Sequence, residues 1–277
     1  MISRYKLIAI SMITLGILLA VIGFSSGGRW SIVKEENGFT VPTKNGLENN
    51  SYKLEAFTDL HVINDYGDVE ILQADSFELE TNVIKNTDVT YSLKDGTLTV
   101  ETKSKRKSGI SFGIGTFNSP SIKITIPKGA KLTSIVIDSN FGDTTLKGLD
   151  YKQLSLNEDY GDILLKNIVG EKTEITQSFG DLTLEQFTSN GFIVESEHGD
   201  IDIEGTLNGQ SKITSSFGDA SLHLQNKKRE VGYELKTNFG DITVNDSSQN
   251  SKVSQLLAGE NQLNVSLSHG DLELSLK

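Results

Sequence analysis

The chain has no cysteine among its 277 residues. Disulfides, thiolate nucleophiles and cysteine-ligated zinc are therefore excluded. Proline is scarce as well, at three residues. Basic charge runs short: 26 Lys and Arg stand against 37 Asp and Glu, a formal net charge of −11. That balance argues against nucleic acid as a partner, and against charge-driven docking of the folded part on an anionic membrane. The four histidines, His61, His198, His223 and His269, have no metal-binding spacing. Neither a GxSxG elbow, a P-loop nor an HExxH helix occurs.

What is present is 36% hydrophobic residues, enough for a core, with plentiful Gly, Ser, Thr, Asn and Asp. This is a turn-rich, all-β composition. One long apolar run stands out, Leu7 to Phe24, "LIAISMITLGILLAVIGF". As a helix its length is roughly 27 Å, close to the hydrocarbon thickness of a bilayer. Arg4 and Lys6 precede it, which places the N-terminus in the cytoplasm and the rest outside. The expected organisation is a cytoplasmic tail at 1–6, a transmembrane anchor at 7–24 and a polar tether at 25–51. An exported domain follows at 52–277. Gly23-Phe24-Ser25 also offers a signal-peptidase site, but the apolar run exceeds a usual signal core. Trp30 suits a membrane interface. Without Arg4 and Lys6 the exported part holds 24 basic and 37 acidic residues, a net charge of −13.

An aromatic-Gly-Asp triplet recurs eight times, at Gly67, Gly142, Gly161, Gly180, Gly199, Gly218, Gly240 and Gly270. From Gly142 to Gly218 the step is always 19; it then becomes 22 and 30, and the first step of 75 is close to four periods. Before the triplet stands an apolar-x-apolar pair such as Leu154/Leu156 or Phe192/Val194. After it stands another, such as Leu182/Leu184 or Ile201/Ile203. Period-two alternation means strands with one buried face. Each unit thus reads as two short strands joined by a tight turn. One unit cannot bury its face alone, but stacked copies can. The spacing predicts a parallel β-solenoid of about 19-residue coils, rising about 4.8 Å per coil. Residues 52–131 are expected to form irregular coils with a hairpin around Asp95-Gly96, and 132–277 the regular repeats. The alternative is an antiparallel meander or sandwich, where an invariant step is harder to obtain.

Glycine permits positive φ, so the triplet reads first as a turn. Its Asp is expected to accept nearby backbone N–H groups, as in an Asx-type turn. An acidic column for divalent cations is the functional alternative. One carboxylate per coil falls short of the six to eight oxygens calcium prefers. The rings Phe141, Tyr160, Phe179, His198, Phe217, Phe239 and His269 form either a packed corner or a sugar-binding face. Glu195, Glu197 and Asp200 are close in sequence, as any solvated strand end would have them. The basic stretch "KSKRKSGISFGIGTF", Lys103 to Phe117, reads as a solvated loop or as a contact for anionic wall polymer or lipid headgroups. At the C-terminal edge Ser275 and Lys277 are expected to blunt the open strand, and Ser247 to Gly259 to cover it.

The single anchor followed by "INDYGDVEI", "ITIPKGAKL" and "SFGDLTL"-type coils resembles the LiaG-type adhesin family of Gram-positive bacteria. The resemblance spans most of 52–277 and implies an anchored envelope protein. It supplies no catalytic residue, cofactor or metal. The expectation is a single-pass cell-membrane protein whose extracellular solenoid binds or scaffolds at the envelope, without catalysis. Its partners are the membrane, through 7–24, and a wall polymer or envelope protein. A carbohydrate-active β-helix enzyme and an end-to-end self-assembling scaffold are the alternatives.

Overall fold

The computed structural model describes residues 12, 13, 16, 31–35, 38–40, 47–84, 87–104, 111–113 and 120–277. The 7–24 run lies outside them apart from Met12, Ile13 and Gly16, which are helical. Among the described residues no helix is long and apolar enough to cross a membrane. Most of the basic stretch, including Lys105 to Lys107, also lies outside them.

Two compact units are present, one of residues 1–46 with 106–118 and one of 47–105 with 119–277. In the first, Ser31–Glu35 pairs antiparallel with Gly38–Thr40 and with Ser111–Gly113. The stretch read as a tether therefore contains strands.

The second unit is the all-β parallel solenoid that the repeat implies. Three successive coils, Ile163–Phe179, Leu182–His198 and Ile201–Phe217, are each one 17-residue strand. They pair in parallel at a register of nineteen residues, Ile163 on Leu182 and Leu182 on Ile201. Burial resolves each coil into three short faces rather than two. In the first coil these are Ile163/Leu165, Ile168/Gly170 and Thr173/Ile175/Gln177. One corner is a positive-φ residue, Asn167 at 54° and Gln186 at 52° in the next coil. A second corner is the exposed pair Glu171-Lys172. The third is the aromatic-Gly-Asp turn. The middle face escaped the repeat pattern because its columns trade size between coils. Ile168 stacks on Phe187 and Phe187 on Gly205, while Gly170 stacks on Ser189 and Ser189 on Leu207.

Spatial order departs from chain order at both ends. The strand Lys131–Phe141 pairs directly with Asp59–Asn64. The 75-residue first step is thus a single coil step with an excursion inserted, not four coils. That excursion makes the hairpin Thr87–Lys94/Thr97–Ser104 around Asp95-Gly96. Thr97–Ser104 and Ser121–Pro127 then stack beneath the first coil as an end layer. Antiparallel strands Glu78–Ile84 and Leu47–Lys53 finish this end.

At the other end the last coil in sequence, Gln262–His269 with Leu272–Leu276, slots between two earlier ones. It pairs with Ile201–Phe217 on one side and Gly232–Phe239 on the other. Ser275 and Lys277 therefore do not blunt the edge: Ser275 is paired with His223, inside the stack. The edge is covered by the expected insertion, through antiparallel strands Ser247–Gln249 and Lys252–Gln255. A single apolar core runs through the solenoid, with Phe187 and Phe192 among its fully buried side chains.

Candidate functional site

Three ladders meet at the aromatic-Gly-Asp corner. The central one is glycine. All eight triplet glycines have φ between 118° and 159°. A Cβ on Gly199 would lie 1.9 Å from the carbonyl oxygen of Gly180. Gly161, Gly180, Gly218, Gly240 and Gly270 meet the neighbouring coil's glycine at 2.0 Å in the same way. Side chains are excluded here by backbone angle and by close approach together.

The second ladder is carboxylate. Asp68 Oδ1 accepts the backbone N–H of Asp143 at 3.1 Å, and Asp143 Oδ1 that of Asp162 at 3.0 Å. The pattern continues through Asp181, Asp200, Asp219 and Asp271 to the N–H of Asp241 at 2.8 Å. The expected N–H partner is present, but it belongs to the next coil and not to the residue's own turn. Each Asp is therefore a clamp between coils. Among the described residues no group of three or more acidic or His side chains could hold a metal ion. Burial raises the carboxyl of Asp68, and the nearby anions Asp143 and Glu70 add to the effect.

The third ladder is aromatic. Phe141, Tyr160, Phe179, His198, Phe217, His269 and Phe239 stack in this spatial order. Centroids are 4.7–5.0 Å apart and planes within 17° of parallel. These rings are not a buried corner: Phe141, Tyr160 and Phe217 are each 47% exposed and Phe239 is 67% exposed. Stacking along the axis covers the ring faces and turns the ring edges outward. Pyranose rings pack on aromatic faces, so the flank of this ladder is ill-suited to sugar stacking. Phe239, last in the stack, has His269 as its one ring neighbour among the described residues.

The remaining sequence candidates are dispersed. His61 lies 3.6 Å from Asp138, and His223 bonds Ser221 at 3.2 Å. Glu195, Glu197 and Asp200 are exposed, with Glu195 4.0 Å from Lys212. Lys103 pairs with Glu101 at 2.7 Å. A shallow groove of about 550 Å³ lies at another corner, lined by Glu171, Lys172, Asn190, Phe192, Gln210 and Glu260.

One feature escaped sequence reasoning: a polar column inside the solenoid, three residues before seven of the eight triplet glycines. It runs Asn64, Ser139, Glu158, Gln177, Ser196, Ser215 and Thr237, all buried, with the apolar Leu267 as the exception before Gly270. The signal was a polar residue at inward parity, visible as Gln177 in "TQSFGDL". Asn64 Nδ2 donates to the Gly67 carbonyl at 2.6 Å, and Gln177 Nε2 to that of Gly161 at 2.8 Å. The column thus braces the turns from within. Glu158 is the exception in charge. Burial pushes its carboxyl up to about 7, against hydrogen bonds from Thr144 and Ser139 that pull it down.

The fold and corner define a class: a parallel solenoid whose coils are clamped by turn ladders. Residues 57–275 match the Toastrack DUF4097 family, and the chain belongs to it. No curated protein matches the sequence. Among solved structures, a "putative adhesin" from Bacteroides fragilis is similar at 16% identity and TM-score 0.55. That match covers 85% of this chain and 99% of the other. A "putative adhesin" from Parabacteroides distasonis shares 13% identity at TM-score 0.46, covering 83% and 98% of the two chains. A "putative lipid binding protein" from the same species shares 17% at 0.42, covering 84% and 99%. At these identities the likeness is one of fold.

Proposed function

We propose that the chain is a LiaG-type, non-catalytic envelope protein, anchored through 7–24 and exposing the solenoid outside the cell. Its binding face is the ladder corner, and its partner is an envelope protein, or a wall polymer held along the ring edges without sugar-ring stacking. The carrying observation is the continuous stack of seven rings, five of them Phe or Tyr at least 40% exposed. Large exposed apolar strips on a folded domain commonly mark interaction surfaces. The aspartates beside it bond backbone across coils, which is structural use rather than the carboxylate pairing of a glycosidase.

The test is co-sedimentation of the purified chain with isolated wall and membrane fragments. A Tyr160→Ser, Phe179→Ser, Phe217→Ser variant is compared, with circular dichroism confirming the β fold. Loss of sedimentation in the folded variant supports the reading, and unchanged sedimentation overturns it. Topology is tested separately with protease added to wall-stripped cells. Digestion of the solenoid is expected, and full protection excludes an extracellular domain.

A further inference from the structure

Inside the solenoid, Glu158 Oε1 and Gln177 Oε1 are among the buried oxygens that have no protein hydrogen-bond partner among the described residues. They belong to residues directly paired in adjacent coils of the interior polar column. Both side chains are 1% exposed. Their other atoms are occupied. Glu158 Oε2 accepts the Thr144 hydroxyl at 2.7 Å. Gln177 Nε2 donates to the carbonyl of Gly161 at 2.8 Å, and more distantly to that of Asp181 at 3.4 Å.

If Glu158 were a carboxylate, the interior would hold two bare acceptors and a buried charge. Each unmet acceptor is costly, and the charge more so. A single proton resolves both. We propose that Glu158 is a neutral acid in the folded protein and donates from Oε1 to Gln177 Oε1, so that one proton latches two coils together from inside. No bond between heavy atoms changes; the Oε1–H bond forms with a proton taken from water and breaks when that proton returns to it.

Burial and two neighbouring anions favour the neutral form, against the Thr144 and Ser139 hydroxyls, which favour the ionised one. The coil below supplies the Ser139 and Thr144 hydroxyls and the Asp143 carboxylate. The residue's own strand supplies Asp159, a second anion, and the coil above supplies the Gln177 amide. Both charged neighbours repel an ionised Glu158. Its raised titration, near 7 against an ordinary 4.5, agrees with this geometry.

The sign of the effect is opposite to that of most carboxylates. Between about 4.5 and about 7 the folded chain holds a proton that the unfolded chain has released. Stability is therefore full below that window and falls as pH rises through it. Glu158 therefore contributes most at the acidic end of this window and loses that contribution toward its alkaline end, a property separate from any partner bound at the corner.

The experiment is carbon NMR of the Glu158 carboxyl in the full-length protein across pH, with melting of wild type and Glu158→Gln. A glutamine can donate to Gln177 Oε1 without titrating. The expected results are a carboxyl midpoint near 7 and a wild-type melting temperature that falls across the window. Glu158→Gln should melt above wild type at alkaline pH and lack that fall. A carboxyl already ionised at about pH 5, as an ordinary glutamate is, overturns the proposal. So does a Glu158→Gln protein that melts below wild type at every pH.

Discussion

The backbone N–H of Asp200 donates to the Oδ1 of Asp181 at 2.9 Å, across the nineteen-residue step between coils. The acceptor is charged, so the bond is stronger than a neutral one. Asp181→Ala removes the acceptor and should cost about 1–2 kcal/mol. Asp181→Asn keeps an oxygen there and removes one charge from a repulsive column, so its loss should be smaller. Urea denaturation of both variants measures the difference, and equal losses would show that the acceptor is incidental.

The same column sets the response to salt. Successive aspartates stand one coil apart, where two unit charges repel by roughly 0.8 kcal/mol in bulk water. Sodium chloride should raise the melting temperature by screening. Calcium chloride at matched ionic strength should add little, because one carboxylate per coil leaves its shell incomplete. A large rise at micromolar calcium, reversed by chelator, contradicts this and makes the turn a metal site.

Two glycines separate strain from clash. Gly129 has φ of 83° and open space around a Cβ, while Gly199 has φ of 131° and the Gly180 carbonyl 1.9 Å away. Gly129→Ala should cost about 1 kcal/mol, from backbone strain alone. Gly199→Ala should cost upwards of about 3 kcal/mol, because a neighbouring backbone must move as well. Thermal melting of the pair decides. Similar losses mean that coils slide apart easily.

The solenoid, its turn and its period were legible because each rests on local chemistry repeated in register. Gly180 needs its φ wherever the coil closes, and Leu182/Leu184 alternate wherever a strand has one buried face. The coil's third face was not legible, since Phe187 over Gly205 conserves volume between coils instead of repeating a residue. Nor was the order of coils. Every coil offers the same register to every other, so nothing in "SHGDLEL" states that Gly270 stacks between Gly218 and Gly240. The two His in the ring column already suggested a partly wet corner, but the exposure of the Phe and Tyr rings was not legible, for a related reason. The burial habit of Phe describes single side chains, and here each ring covers its neighbour's face.

That exposure has an energetic consequence. Phe187 is 0% exposed and Phe179 40% exposed, although both are phenylalanines in consecutive coils. Phe187→Ala should lose about 3–5 kcal/mol by leaving a cavity. Phe179→Ala should lose only about 1 kcal/mol, from two stacking contacts at the surface. Denaturant melts of the two variants test the assignment of the ladder to function. A loss at Phe179 as large as at Phe187 would make the ladder a structural spine rather than a spared surface.

Chain ends usually fray, so the last residues of a domain are ordinarily its fastest to exchange. Here the C-terminal coil is inserted between two others and bonded on both sides. Leu272 N–H donates to the Asp241 carbonyl at 2.8 Å, while the Asp271 carbonyl receives the Ala220 N–H at 2.9 Å. Gly270 N–H donates to Phe239, and the His269 carbonyl receives the N–H of Gly218. The preceding strands Ser247–Gln249 and Lys252–Gln255 pair only at the outer edge. Native-state hydrogen exchange should therefore invert the usual gradient. Amides of 263–274 should be protected nearly as well as those of the coil at 201–217, while those of 247–255 exchange by local opening. A stop codon after Asn261 should then remove an inner coil and release 232–244 along with it, so that protection is lost well beyond the deleted residues. Protection of 232–244 that survives the truncation would show that the end coil can restack directly on 201–217, with the C-terminal coil an optional filler.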